Sequence, residues 1–324
     1  MKLATPLILS LLMICCNCSN IRHRNMLSEL DDPRIFKGDD TTAYRDPAAI
    51  YANGTFHLYF TLVRIESDSV FSYVAQSSSK DLKHWSEPQI ITPRDQSLNF
   101  SSPGNVVRDG DEWVLCLQTY PRPGHVISQG VRYGNETSRI YTMRSKDLEH
   151  WKEPELIRVK GDIPAEDMGR MIDPYLIRKD GTWWCFYKQN GVSMSTSEDL
   201  EHWTFQGSAN AGENVCILRR DDGSYVMFHS PANGIGIKTS DDLNSWSDDI
   251  AILTFGQDGW PWARGRLTAG AVIDCREVDG VGQYLMFFHG SGPLSETEGD
   301  FDRNSSIAMA WSGDLIDWTW ADGR

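Results

Sequence analysis

The chain has 324 residues, 40% hydrophobic and 23% charged, an ordinary globular composition that excludes a disordered, collagen-like or coiled-coil protein. With 31 Lys and Arg against 45 Asp and Glu, the formal charge is −14. A nucleic-acid partner or an anionic membrane surface calls for a basic face that such a chain does not offer. The 12 Trp, 11 Tyr and 12 Phe pose a question, since an indole that stacks on sugars and an indole repeated once per structural unit give the same count.

Met1-Lys2 is a short basic start, and the apolar run from Leu3 to Ile14 is too short to span a bilayer but fits the core of a secretory signal. It ends in Cys15-Cys16-Asn17-Cys18-Ser19-Asn20, which resembles the lipid-attachment site of a bacterial lipoprotein. Residues 1–18 are therefore expected to be an export signal of lipoprotein type. The protein is expected in the periplasm or on the cell surface, anchored by that lipid. Residues 19–34 read as a polar tether, and 35–324 as one folded catalytic domain.

A repeat organises everything after the tether. Ser79-Lys80-Asp81-Leu82-Lys83-His84-Trp85 recurs at Ser145–Trp151, Ser197–Trp203, Ser240–Trp246 and Ser312–Trp318, five copies of S-x-D-L-x-x-W. Each follows a strand-turn-strand pattern with Asn53-Gly54, Asp109-Gly110, Asp180-Gly181, Asp222-Gly223 or Asp279-Gly280 at the turn, the strongest short-range hairpin signal. A third strand precedes each copy and a fourth, outer strand is expected after it. The 280 residues from Arg45 to Arg324 divide into five units of 56, close to four-stranded blades of about 40–50. The expected fold is all-β, a five-bladed β-propeller. Radial closure explains five units without distinct end caps better than a solenoid does. Cys116, Cys185, Cys216 and Cys275 have no metal-ligand spacing and read as buried free thiols.

In a blade the first strand lies beside the central channel, so the residues that open the five first strands share one mouth. These read as Asp46, Ser102, Asp173, Glu213 and Thr268. Asp46, Ser102 and Asp173 stand eight residues before their hairpin glycines, and Glu213 stands ten before Gly223, which asks for a longer turn. The second strands end at Gln118, Lys188, His229 and His289 on the same face. Three converging carboxylates suit acid/base hydrolysis or hard-cation binding, because crowding raises one pKa and leaves a neighbour ionised.

Arg45-Asp46-Pro47, Ile172-Asp173-Pro174 and Glu213, joined by the S-x-D-L-x-x-W turns, resemble glycoside hydrolase family 43 and its five-bladed relatives. The resemblance spans about residues 45–324. It implies an inverting glycosidase acting on arabinose- or xylose-containing glycans, with Asp46 as general base, Glu213 as general acid, and Asp173 orienting Glu213 and holding its pKa high. Inversion needs acid and base roughly 6.5–9.5 Å apart. Arg45, Ser102, His229, Arg266 and His289 are expected to contact substrate. Trp260 and Trp262, in a long insertion before blade five, are expected to stack on a sugar face. Glu166, Asp167 and Arg170 read as further loop contacts. No cofactor is required and no metal ligand is assigned, apart from an ion that the resemblance suggests in the channel near His289. Two features depart from the family pattern. Glu213 is followed by Asn214-Val215 where Gly-Pro is usual. The Asn-Asp-Pro-Asn signature of the retaining family 32 fructan hydrolases is absent, since Asp46-Pro47 leads into Ala48-Ala49. A fructan hydrolase of that kind and a non-catalytic carbohydrate-binding propeller are the alternatives. Oligomeric state is not legible.

Overall fold

The computed structural model describes residues 25–321, and these form five antiparallel sheets. Blade one comprises Thr42–Ala52, Thr55–Glu66, Ser69–Ser79 and Gln89–Ile90; blade three Ile172–Lys179, Thr182–Lys188, Val192–Ser197 and Thr204–Ala209; blade four Glu213–Arg219, Tyr225–Ser230, Ile235–Ser240 and Ala251–Leu253. In blade two the first strand is split into Phe100–Ser101 and Val106–Asp109, followed by Glu112–Thr119, Ile140–Ser145 and Glu155–Leu156. Blade five has Arg266–Cys275, Gln283–Ser291, Ser306–Ser312 and Trp318–Thr319. The five first strands contact one another in a closed cycle, and apolar clusters fill the spaces between blades. The fold is a five-bladed β-propeller.

The repeated turn has a common physical basis. The serine hydroxyl accepts the backbone N–H of the aspartate and, in four copies, of the leucine, as at Ser145 (3.2 Å to Asp147 N, 3.0 Å to Leu148 N). The aspartate Oδ1 accepts the amides two and three residues on, as Asp147 does from Glu149 and His150. These bonds hold all five leucines in the left-handed region, with φ between 63° and 71°, a cost to an L-residue that the caps and the buried leucine side chain offset. The tryptophan then donates its indole N–H to the leucine carbonyl in four copies. In the remaining copy Trp151 donates to Gln76. These five indoles are structural.

The ring is closed by the N-terminal segment. Arg34–Phe36 pairs antiparallel with Ser306–Ser312, so blade five contains strands from both ends of the chain. Part of the expected tether is therefore docked: Asn25 caps a short 3-10 turn at Met26–Glu29, and Leu27 is buried in the cluster beneath blades one and five. Five apolar residues, Met26, Leu27, Leu30, Ile35 and Phe36, seat this segment on the propeller. The expected export signal, residues 1–18 with its cysteines, lies outside the described residues. Cys116, Cys185, Cys216 and Cys275 are buried and unpaired.

Candidate active site

At the channel mouth each first strand bends. The ladder register breaks between Arg45 and Ala48, Ile172 and Tyr175, Glu213 and Cys216, and Thr268 and Ala271. The residue at each bend has positive φ: Asp46 46°, Ser102 39°, Asp173 53°, Asn214 51° and Ala269 57°. Asp and Asn tolerate this conformation best, and a β-bulge re-aims the side chain it carries.

The bends are tied together around the ring. The bend amide of Asp46 donates to His289 Nδ1 (3.0 Å), that of Ser102 to Thr61 Oγ1 (2.7 Å), that of Asp173 to Gln118 Oε1, and that of Ala269 to Ser230 Oγ (2.8 Å). Each acceptor stands on the second strand of the preceding blade. In blade four the corresponding residue of the preceding blade is Lys188, which has no acceptor to offer. Because its hydroxyl already accepts the Ser102 amide, Thr61 directs its proton to Asp46 Oδ2 (2.9 Å).

Blade four is shifted by one residue from the sequence alignment. The bend falls on Asn214, and Glu213 occupies the place of Arg45 and Ile172; likewise Ala269, not Thr268, is the bend of blade five. The second strand shifts with it, so Ser230 and not His229 pairs with Glu213. Successive strand residues face opposite ways. His229 is accordingly turned from the channel mouth: its Nδ1 accepts the Gly212 amide (2.8 Å) and its Nε2 meets Asp249 (2.6 Å).

A cavity of about 440 Å³ opens over the bends and is lined from all five blades, including Arg45, Asp46, Thr61, Ser102, Gln118, Asp173, Glu213, Asn214 and Arg266. Asp173 is fully enclosed, and burial, then the charges of Glu213 and Asp46, push its carboxyl well above the usual carboxylate range. Glu213 bonds Arg266 Nη2 (2.7 Å), whose Nη1 holds Glu296 (2.8 Å). Glu296 also receives Arg45 (2.9 Å). Burial would raise Glu296, but Arg45, His289 and Arg266 outweigh it and hold that carboxyl far below its ordinary value. Glu296 comes from the loop between Ser291 and Ser306, which also supplies Phe301 and Asp302. Asp302 pairs with the buried Arg122 (2.6 Å) and with His125 (3.2 Å), pinning this loop to blade two across the mouth. Tyr133 packs edge-on to Phe301 at 5.0 Å and completes that wall.

The cavity thus gathers eight of the residues expected from sequence, Arg45, Asp46, Ser102, Gln118, Arg170, Asp173, Glu213 and Arg266, while Glu166 and Asp167 are not in its lining. His289 is fully buried behind Asp46 as the anchor of its bend. Since Nδ1 accepts there, the neutral ring carries its proton on Nε2, 3.6 Å from Glu296, and presents no lone pair to a cation. In this tautomer His289 itself is not a ligand for the expected channel ion. Trp260 and Trp262 are not in the lining: they stack on each other (5.0 Å) and on Phe288 (6.2 and 6.3 Å), filling blade five from outside. Their apolar partners, invisible in a loop sequence, decided that placement. The wall residues the sequence did not reveal, Glu296, Phe301, Asp302, Arg122 and Tyr133, come from two long loops. The one signal for them was the acid-rich stretch from Glu296 to Asp302.

The sequence profile of the glycosyl hydrolases family 32 N-terminal domain matches residues 42–218, a stretch that contains Asp46, Asp173 and Glu213. No curated relative matches the sequence. Among solved structures, an exo-1,5-α-L-arabinanase from a bovine ruminal metagenomic library superposes with a TM-score of 0.57 at 15% identity, covering 85% of this chain and 95% of that one. An α-L-arabinofuranosidase of Podospora anserina gives 0.59 at 14% identity, covering 86% and 94%. A family 32 β-fructofuranosidase of Bombyx mori gives 0.60 at 16% identity, covering 90% and 66%.

Proposed function

The chain belongs to the glycosyl hydrolases family 32 and is a glycoside hydrolase, and we propose that it removes arabinosyl or xylosyl units from glycans by acid/base catalysis through Asp46 and Glu213. The observation that carries this reading is the convergence of three carboxylates on one cavity, with the most enclosed of them, Asp173, favouring its protonated form. A cavity walled by all five blades and closed by the Glu296 loop suits the end of a glycan chain rather than its middle. The arabinose-directed names of two solved structures of the same fold favour the sugar class.

Asp46, fixed by the Thr61 hydroxyl and by the tie of its own amide to His289, activates the water that attacks the anomeric carbon. Glu213 gives its proton to the departing oxygen. Its carboxyl group is held by Arg266, whose guanidinium is fixed at its other end by Glu296. Asp173, pushed towards its protonated form by burial and by its two acidic neighbours, limits the negative charge that the three carboxyls bring together. Inversion is the stereochemical course we propose. Retention through a glycosyl ester on Asp46 is the second reading, favoured by the family 32 match.

Release of reducing sugar from arabinosyl and xylosyl substrates tests the reading, with Asp46→Asn and Glu213→Gln each expected to lose roughly 10²–10⁴-fold in kcat. Full activity in either variant overturns its role. The first-formed anomer, followed by NMR, separates the two courses. Export and anchoring at Cys16 or Cys18 are proposed on the sequence of residues 1–18, and metabolic labelling with a fatty acid tests them.

A further inference from the structure

Four arginines line the cavity: Arg45, Arg122, Arg170 and Arg266. Three are closed by carboxylates of the chain itself, Arg45 and Arg266 by Glu296 and Glu213, Arg122 by Asp302, at 2.6–2.9 Å. Arg170 differs. Among the described residues it forms no ion pair, and its side chain makes one long hydrogen bond, Nη2 to the Tyr120 hydroxyl at 3.5 Å, with its guanidinium 5.6 Å from the centre of that ring.

The backbone beneath it is fixed. Met168 and Met171 are fully buried on either side. Gln189 Nε2 donates to the carbonyls of Met168 and of Arg170 itself, both at 3.0 Å, and Arg139 donates to the Gly169 carbonyl at 2.9 Å. The guanidinium is therefore delivered to the cavity from a locked loop just ahead of the Asp173 bend, with most of its planar fork of five donors uncommitted.

Such a fork matches two oxygens of a planar or tetrahedral anion, and charge-assisted bonds of this kind are roughly twice as strong as bonds to neutral acceptors. A neutral sugar that filled the cavity would take water from this cation and return hydroxyls only. We propose that the cavity takes an anionic glycan, with Arg170 binding a carboxylate or sulfate group carried by the sugar at or beside the scissile bond. This names the substrate class of the glycosidase site above and rests on that reading.

Calorimetric titration of the full chain carrying Asp46→Asn tests it, using the methyl glycosides of a uronic acid, of a sulfated sugar and of the corresponding neutral sugars. The expected result is that at least one acidic ligand binds roughly 10- to 100-fold more tightly than its neutral counterpart, and that Arg170→Met abolishes this ratio while Arg170→Lys restores part of it. The arm that shows the preference identifies carboxylate or sulfate. Acidic and neutral ligands behaving alike, or a preference that survives Arg170→Met, overturns the proposal. The parent chain is assayed in parallel for hydrolysis of arabinosyl and xylosyl glycosides with and without a neighbouring uronic acid or sulfate group. A binding preference without hydrolysis overturns the glycosidase reading and leaves the anion site standing; hydrolysis without an acidic preference does the reverse.

Discussion

Asp173 and Glu296 are both enclosed carboxyls, yet their surroundings drive them in opposite directions. Around Asp173 burial acts with the charges of Asp46 and Glu213, whereas around Glu296 two guanidiniums overcome burial. The folded-state pKa of Asp173 lies above its unfolded value, so the folded state keeps a proton that the unfolded chain releases, and stability falls as pH rises between the two values. Asp173→Asn escapes that loss. Scanning calorimetry should find this variant inactive but more thermostable than the parent at pH 7, with the gap closing as pH falls below about 4. Glu296→Gln should lower kcat/KM, because it removes the carboxylate that fixes Arg45 and Arg266 in the cavity wall; unchanged kinetics would remove Glu296 from the positioning of the site. Asp46 and Asp173 were legible because Asp-Pro opens a strand at a constant distance from a hairpin glycine. Glu296 was not, since its partners Arg45 and Arg266 lie 221 residues apart in the sequence and no periodicity marks them.

The two-residue alternation of a strand and the length of a turn decide what an element presents. A single extra residue in the turn through Arg220–Gly223, together with the bend at Asn214, shifts blade four by one place. That shift exchanges Ser230 for His229 at the channel mouth. Glycine spacing identified the hairpin but could not show which of two adjacent residues carries the bend, as that depends on hydrogen bonds to the neighbouring blade. The S-x-D-L-x-x-W turn was legible as a repeat, because nearly all of its bonds are local, while the left-handed leucine and the indole bond to its carbonyl emerged only in the structure. Ser145→Ala would strand the buried amide of Leu148 in a left-handed conformation, and urea titration should register a loss of about 1–3 kcal/mol. No change would mean that leucine burial alone holds the turn.

On the scale of the whole molecule, five similar blades made the architecture legible, while the seam was hidden because Arg34–Phe36 is too short to read as a strand. Removing residues 25–36 would leave Ser306–Ser312 without that partner and uncover the cluster around Leu27. The truncated chain should unfold at markedly lower temperature and bind hydrophobic dye; an unchanged melting curve would make the seam dispensable.

The amide ties that run from four of the five second strands to the next blade's bend carry a consequence for how such an enzyme can change. The aspartate of blade one takes its shape from a histidine of blade five, and the aspartate of blade three from a glutamine of blade two. A blade is therefore not the owner of its own reactive group. Transplanting one blade into another propeller would move the carboxylate and leave its mould behind. Inheritance of the chemistry, by recombination or by design, has to proceed in adjacent pairs.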